Sequence, residues 1–192
     1  MSDAPVLEAS EIEVRFGGLQ ALRSAAVDVT PGTITGLIGT NGAGKTTLFN
    51  VITGFQPAFA GQVRLDGRDV TRLGPHARAR RGIARTFQKL EAFNSLSARD
   101  NIRVAAEQRH RGHAAEAVVD DVIERIGLGD VADLTVGTLP TGTARLVELA
   151  RALACEPTAL LLDEASSGLD EEETAAVGEL LVRLVAEREL GI

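Results

Sequence analysis

The chain has few of the residues that hold small secreted domains or metal centres together. Its 192 residues include one cysteine, Cys155, which excludes an internal disulfide and any cysteine-cluster metal site. Because Cys155 stands before Glu156-Pro157, where a helix must stop, we expect a small buried or half-buried thiol. Tryptophan and tyrosine are absent, so phenylalanine supplies all of the aromatic rings that can stack on another group.

Long apolar runs and excess positive charge are also missing. No apolar run approaches the ~18 residues needed to span a bilayer, and the acidic start at 1–3 is unlike a signal peptide. The net charge of −7 argues against nucleic acid as a partner. The arginine-rich segment 74–85 has no interleaved aromatics, so it predicts a solvated helix face. His110 and His113 have no third ligand nearby and are predicted to be exposed. We therefore expect a globular chain that is cytoplasmic or the cytoplasmic part of something larger.

The strongest pattern present is TITGLIGTNGAGKTTLFNVITGF at 33–55. Residues 33–38 are β-branched and apolar, which predicts a buried strand, and 46–53 has helical spacing with Gly54 as its stop. The loop between them fits G-x-x-x-x-G-K-[ST], a phosphate-binding loop. Its amides and the helix N-terminus would surround phosphate oxygens, Lys45 would reach the β- and γ-phosphates, and the Thr46 hydroxyl would ligate Mg²⁺. The predicted nucleotide contacts in this loop are Gly39, Thr40, Asn41, Gly42, Ala43, Gly44, Lys45, Thr46 and Thr47.

A second pattern, TALLLDEASSGLD at 158–170, separates the chain from GTPases, whose N-K-x-D and D-x-x-G motifs it lacks. Leu160 to Leu162 is predicted to be a buried strand, with Asp163 and Glu164 at its C-terminal edge, where open α/β sheets bind ligands. Asp163 suits the Mg²⁺ shell. Glu164 suits polarising the attacking water, which makes it the candidate catalytic residue.

Four motifs in order resemble the nucleotide-binding domain of ABC ATPases: GTNGAGKTT, RTFQ at 85–88, LPTGTARLVELARAL and LLLDEASSGLD. The resemblance covers about Val6 to Ile192 and implies ATP and Mg²⁺ as cofactors. It implies an α/β fold, namely a P-loop NTPase (RecA-like) core with an N-terminal antiparallel β subdomain and an inserted α-helical subdomain. These parts would form one domain over 1–192: the β subdomain and core over 1–88 and 145–192, and the helical subdomain with the signature loop over 89–144.

In ABC ATPases the signature loop contacts the γ-phosphate of ATP bound to the P-loop of a second subunit. The resemblance places Thr141, Gly142 and Thr143 in this loop. The usual Leu-Ser-Gly-Gly-Gln is Leu-Pro-Thr-Gly-Thr here, and Pro140 lacks the hydroxyl and the N–H of serine. Thr141 or Thr143 could supply the hydroxyl after a small shift. Alternatively the half-site could be weakened, which would make the chain a regulatory ATP-binding module.

The helix after this loop is predicted to be amphipathic. Its apolar stripe is Leu146, Leu149 or Ala150, and Leu153, and its polar residues Arg145, Glu148 and Arg151 are predicted to face water or the partner.

Three more residues take roles from the resemblance. Phe16 would stack on adenine, although packing in the core is the alternative. Gln88, at the end of a predicted strand 83–87, would touch Mg²⁺ and move with the membrane partner. Asp170 would cross the dimer interface as the D-loop aspartate, and it could also be a helix N-cap. The usual proline after Asp-Glu is Ala165, which loosens the turn without removing a chemical group.

The remaining segments fit the two subdomains. Helical spacing over 98–108 and 114–126, stopped by Gly127, predicts helices in the inserted subdomain, which in ABC ATPases docks on a membrane protein. Alternating apolar residues at 12–16 and 27–29 predict N-terminal antiparallel strands.

The resemblance also leads us to expect that the last core strand is missing. Gly191-Ile192 would begin a strand between the P-loop strand and the Asp163 strand, and in the family that strand ends in a histidine that contacts the γ-phosphate. His76, His110 and His113 are not placed to substitute. The expectation is a C-terminally incomplete piece that folds weakly, binds ATP and hydrolyses little.

Within the family, RFGGLQAL, TTLFNVITGF and PHARARRGIARTFQ look most like importers of branched-chain or other hydrophobic amino acids. The implied partners are a second ABC ATPase docked head to tail, transmembrane permease subunits and, indirectly, a solute-binding protein. The implied location is the inner face of the cell membrane. A soluble ABC protein acting on ribosomes or DNA is the alternative, against which stand the single P-loop, the acidic charge and the lack of a coiled-coil insertion.

Overall fold

The computed structural model describes residues 4–87, 91–164 and 166–192. Strands and helices follow one another along the chain as an α/β fold requires. The chain forms two compact units: the first comprises the chain up to Ile83 with 158–161 and 184–192, and the second comprises 84–157 and 162–183. Among the described residues, no helix combines the length and the apolar character that crossing a bilayer requires.

The first unit contains the predicted antiparallel strands. Four strands form one sheet in the order β2-β1-β3-β4, namely β1 (Leu7–Phe16), β2 (Leu19–Val29), β3 (Ala60–Leu65) and β4 (Arg68–Asp69). The register shifts after Ala9, and Glu11 has a left-handed φ of 52°. Because this irregularity adds a residue, the buried positions in β1 pass from Leu7 and Ala9 to Ile12 and Val14.

The predicted P-loop helix is present as α1 (Lys45–Thr53). Its residues Leu48, Val51 and Ile52 join the buried cluster of β1 and β3. Gly54 ends the helix in the left-handed conformation, and its N–H donates to Val51 O. The predicted end of the helix at Gly54 is therefore confirmed, and the helix begins one residue earlier than predicted.

The prediction of a buried strand over 33–38 is wrong. No regular strand is assigned there, and Ile34 and Ile38 are 47% and 95% exposed. Thr35 N donates to Ile192 O (2.7 Å) and Ile192 N to Thr33 O (3.0 Å). Within the described residues this ladder reaches only 32–35, so the later part of the segment lacks the pairing that a buried strand needs.

The last residues lie where the resemblance placed them. Gly191 N donates to Thr158 O (3.0 Å), and Gly191 O accepts from Leu160 N (2.9 Å). Gly191-Ile192 therefore lies between the segment at 33–35 and strand β6 (Ala159–Leu161). The fully buried β6 confirms the strand predicted at 160–162, one residue earlier. Strand β5 (Ile83–Arg85) begins in the first unit, and β5 and β6 form a two-stranded sheet.

The prediction of a solvated arginine face over 74–85 is only partly right. Helix α2 (Pro75–Arg81) exposes Arg80 and Arg81, but Arg78 is 3% exposed. The Arg78 guanidinium donates to four backbone carbonyls, two of which, Val51 O and Ile52 O, lie at the end of α1. Burial lowers the pKa of Arg78. The composition of the segment could not show which arginine is buried. Arg78 differs from its neighbours only because it contacts a helix end whose carbonyls lack donors.

The second unit contains the predicted helical segment. Helices α3 (Ala98–Ala106), α4 (His113–Ile126) and α5 (Thr141–Ala154) contact one another, and Ile102, Val119 and Val147 are fully buried. Ser97 Oγ caps α3 by accepting from Asp100 N, and Gly127 ends α4 in the left-handed conformation. Single turns of 3-10 helix at Gly129–Val131 and Val136–Thr138 precede α5, and α6 (Glu171–Arg188) begins in this unit.

Two single-residue predictions can also be compared with this unit. Cys155 is a half-buried free thiol as expected, and burial raises its pKa. His113 is exposed as expected, but His110 is half-buried with its Nε2 2.7 Å from Glu156 Oε2. The polar sequence around His110 did not reveal this partner, 46 residues further along the chain.

Candidate functional site

The P-loop adopts a shape that glycine alone tolerates at its last position. Gly44 is the N-cap of α1 with φ +94°, and a Cβ there would lie 2.5 Å from Leu22 Cδ2. Any other residue would be both strained and in collision. Gly44 therefore lets the loop turn directly into α1, so that the helix N-terminus points toward the loop.

The ammonium group of Lys45 donates hydrogen bonds to two carbonyls of the loop. Its Nζ donates to Gly39 O (2.6 Å) and Thr40 O (3.0 Å), and Ala43 N donates to Thr40 O (3.1 Å). Residues 39–43 and Thr46 are exposed, so a ligand can reach the loop. A cation, exposed backbone and a helix N-terminus thus meet in one place, which is the chemistry of an anion site.

Phe16 lies at the end of β1, where it pairs with Leu19 of β2. Its side chain is 50% exposed, unlike the core residues Ile12 and Val14 on the same strand. The alternative prediction, that the Phe16 ring packs in the core, is therefore wrong. Stacking of the ring on adenine stays a prediction.

In the second unit, Asp163 follows β6 and is 8% exposed. Its Oδ2 accepts from Arg85 Nη2 at 2.9 Å, and its main-chain N donates to Thr86 Oγ1 at 3.4 Å. Burial lowers the pKa of Arg85, while the charge of Asp163 opposes this shift. The sequence prediction included RTFQ at 85–88 but gave Arg85 no role. The sequence does place opposite charges, Arg85 and Asp163, at the ends of two apolar segments, and this pattern could have predicted the pair.

Glu164 is exposed, and its backbone is unusual. Its φ is +53°, and its carbonyl accepts from Ser167 N at 2.9 Å. A non-glycine residue in this conformation costs about 1 to 3 kcal/mol, and such residues cluster at functional sites. Gln88 and Ala165 lie outside the described residues, so the predicted role of Gln88 stays a prediction.

The signature loop leads directly into α5. Pro140 is the N-cap without a side-chain cap, and its carbonyl accepts from Ala144 N at 2.9 Å. Thr141 is exposed, Thr143 is half-buried and Gly142 is buried. A Cβ at Gly142 would meet the Glu173 carboxylate, the end of an exposed and flexible side chain that could move aside. Contact of these residues with a partner's ATP stays a prediction.

Glu173 belongs to a reciprocal cap at the start of α6. Glu173 N donates to Asp170 Oδ1 (2.8 Å), and Asp170 N donates to Glu173 Oε2 (3.1 Å). This is the geometry of a capping box, so the N-cap role considered for Asp170 is present. Its role across a dimer interface stays a prediction.

The prediction that the polar side of α5 faces water or a partner is wrong for Glu148. Glu148 is 5% exposed and accepts from Glu91 N (3.0 Å) and Arg145 Nη1 (3.2 Å). Arg145 also donates to Phe87 O (3.1 Å), and Arg151 donates to Glu91 O (2.6 Å). Helical spacing identified the polar side of α5 but not the chain segment that covers it. The stripe itself is buried at Leu149, Ala150 and Leu153, and partly at Leu146.

Glu148→Ala is expected to loosen the chain around Glu91. The change removes the side-chain acceptor of the Glu91 N–H, and because Glu91 is exposed the cost is that of one ordinary hydrogen bond, about 0.5 to 1.5 kcal/mol. Amide hydrogen exchange at Glu91 should become faster, whereas exposed Glu124 on α4, changed to alanine, should have no such effect. An unchanged exchange rate at Glu91 would show that Glu148 does not fix this segment.

Comparison with known proteins agrees with this geometry. The family described as ABC transporter matches residues 22–167. The high-affinity branched-chain amino acid transport ATP-binding protein BraF of Pseudomonas aeruginosa is 35% identical, over 98% of this chain and 80% of BraF. The ribose import ATP-binding protein RbsA 1 of Mesorhizobium japonicum is 37% identical, over 97% of this chain but 37% of RbsA 1.

A solved structure shows the same fold. The ATP-binding cassette MJ1267 of an ABC transporter aligns with a TM-score of 0.88 and 28% identity, over 98% of this chain and 79% of MJ1267. An ADP conformation of MJ1267 is also among the similar structures. The P-loop NTPase fold that the motifs implied is therefore confirmed. On the family match and the similarity to BraF, the chain belongs to the ABC transporter family, as an ATP-binding subunit of the ABC ATPase type.

Proposed function

We propose that this protein binds Mg–ATP and hydrolyses it in a head-to-tail dimer that drives import of branched-chain or other hydrophobic amino acids. The observation that carries the solute class is the similarity to BraF along 98% of this chain and 80% of BraF. The protein would act on the inner face of the membrane, with permease subunits and, indirectly, a solute-binding protein as partners.

The P-loop supports the nucleotide part of the proposal. Lys45 Nζ lies against Gly39 O and Thr40 O, from which a short movement of its flexible side chain would reach phosphate oxygens. The residues that the resemblance assigns to Mg²⁺ each offer an oxygen ligand of the kind this ion prefers: the Thr46 hydroxyl in the first unit, the Asp163 carboxylate in the second unit, and Gln88. When bound, the cation would neutralise charge on the β- and γ-phosphates.

The exposed carboxylate of Glu164 supports the hydrolytic part. Glu164 would orient the attacking water and take its proton, while Lys45 draws charge from the γ-phosphate. Thr141, Gly142 and Thr143 would contact the γ-phosphate bound to the opposite subunit, at the N-terminus of α5. Phe16 would stack on adenine, and Asp170 would lie at the dimer interface.

The relatives support amino acids over ribose as the solute. RbsA 1 is slightly more identical than BraF, but the match covers 37% of RbsA 1 against 80% of BraF. The chain thus resembles part of RbsA 1 and most of BraF. A regulatory module is not favoured, because both relatives are named as transport or import ATP-binding proteins.

The test is uptake by membrane vesicles that contain the protein with its permease subunits, with ATP inside and the solute-binding protein outside. We expect ATP-dependent uptake of radiolabelled leucine, with little uptake of ribose. Lys45→Ala is the matched negative control, since it should abolish leucine uptake while leaving the permease in the membrane. Uptake of ribose without leucine would overturn the solute class, and leucine uptake that survives Lys45→Ala would overturn the role of ATP.

A further inference from the structure

We infer that Arg85 is a positioning residue for Asp163, whose carboxylate it holds in one orientation through a buried charge-assisted hydrogen bond. The inference rests on the proposed function, because it assumes that Asp163 serves the magnesium ion. Arg85 lies at the end of β5 and Asp163 just after β6, and both belong to the second unit.

The side chains of Arg85 and Asp163 are almost completely excluded from solvent. Arg85 Nη2 lies 2.9 Å from Asp163 Oδ2, and the two side chains are 5% and 10% exposed. This differs from the helical part of the same unit, where Arg99 and Asp120 form an ion pair at 2.6 Å with side chains 29% and 65% exposed. An exposed pair of that kind contributes little, whereas a buried charge-assisted bond sets the orientation of both groups.

Arg85 is itself held in place by its neighbours. Its Nε donates to Thr86 O at 3.2 Å, and its guanidinium lies 4.7 Å from the centre of the Phe87 ring. These contacts orient the guanidinium on two sides, so it can act as a fixed support. Thr86 also accepts from Asp163 N at 3.4 Å, which fixes the backbone of the same aspartate.

The pairing assigns different tasks to the two carboxylate oxygens. Oδ2 accepts from Arg85. Oδ1 is then the oxygen that remains for the cation or for a water bound to it. Groups that orient a metal ligand in this way commonly change metal affinity about 10- to 100-fold when removed. Arg85 should therefore affect the magnesium requirement more than the binding of nucleotide itself.

The experiment measures binding of a fluorescent ATP analogue to the full-length protein as a function of Mg²⁺ concentration, and separately in EDTA. We expect Arg85→Gln to raise the Mg²⁺ concentration for half-maximal binding by about 10-fold or more, while binding in EDTA, where Asp163 holds no metal, stays close to that of wild type. Arg85→Lys, which keeps the charge without the planar fork, should give a smaller shift. Exposed Arg81→Gln is the matched control and should give none.

A second variant covers the case in which Arg85→Gln does not fold. Thr86→Val removes the hydroxyl that holds Asp163 N, and it should shift the Mg²⁺ requirement in the same direction by a smaller factor. Equal loss of binding with and without Mg²⁺, or no shift in the Mg²⁺ requirement, would overturn the inference. If wild-type protein binds no nucleotide with or without Mg²⁺, the proposed function itself is wrong. If wild-type protein binds nucleotide but the variants leave the Mg²⁺ requirement unchanged, only the inference about Arg85 is wrong.

Discussion

Glu164→Gln is expected to lower ATP turnover by about 10²- to 10⁴-fold while ATP binding persists. Glutamine has nearly the size of glutamate, but it cannot take the proton of the attacking water. Glu164 is exposed and has a left-handed φ of +53°, so its side chain leaves the strand end at a tight turn. Because the bound ATP would not be consumed, two chains joined by it should stay together.

Two measurements on the full-length protein check this result. Phosphate release in Mg–ATP gives turnover, and light scattering gives the mass of the particle with and without Mg–ATP. Glu172→Gln, in the exposed first turn of α6, is the matched control and should behave as wild type. Turnover that is unchanged in Glu164→Gln would contradict the catalytic role and favour the regulatory module considered from the signature loop.

Arg78→Met is expected to have the largest effect on folding, lowering the free energy of unfolding by about 3 to 5 kcal/mol. Methionine fills much of the same space but donates no hydrogen bond. Ile52 O, Thr71 O and Leu73 O would each lose an arginine donor, and Val51 O would keep the bond from Gly54 N. The bond to Ile52 O is buried, whereas those to Thr71 O and Leu73 O are part-buried. An acceptor without a donor costs about 1 to 3 kcal/mol when buried and less where water can reach it, which together gives the expected size.

Urea unfolding followed by circular dichroism measures this change in stability. Arg78→Lys should be intermediate, since one ammonium can reach some but not all of the carbonyls. Arg81→Met, on the exposed side of the same helix, should change stability by less than about 0.5 kcal/mol. A loss equally small in Arg78→Met would show that the carbonyls find other donors.

Most of the elements could be predicted from the sequence. The P-loop and α1 were predictable because a glycine turn, a lysine and helical spacing act within a few residues of one another. Helices α3 and α4 were predictable for the same reason, since their periodicity and their caps are local. The segment at 33–38 was mispredicted as a buried strand because strand formation depends on a partner elsewhere in the chain, here at 190–192.

The charged residues show the same limit more clearly. Arg78, Glu148 and Arg85 each stand in a segment whose composition indicates a surface or leaves the residue without a role, yet all three are buried or paired in the structure. Their partners lie far along the chain: Val51 O for Arg78, Glu91 N for Glu148 and Asp163 for Arg85. Burying a charge is favourable only when a partner of this kind is in contact with it. The spacing of residues along the sequence does not show where that partner is.

For this protein, the sequence by itself determined the order of motifs, the phosphate-binding chemistry and the helices, because all three depend on residues that are neighbours in the chain. The tertiary structure decided which arginines and glutamates are buried, which oxygen of Asp163 is taken by Arg85, and how far the segment after Gly32 is paired. Those outcomes depend on the meeting of distant segments, where the desolvation of a charge or an amide has to be offset by a specific partner.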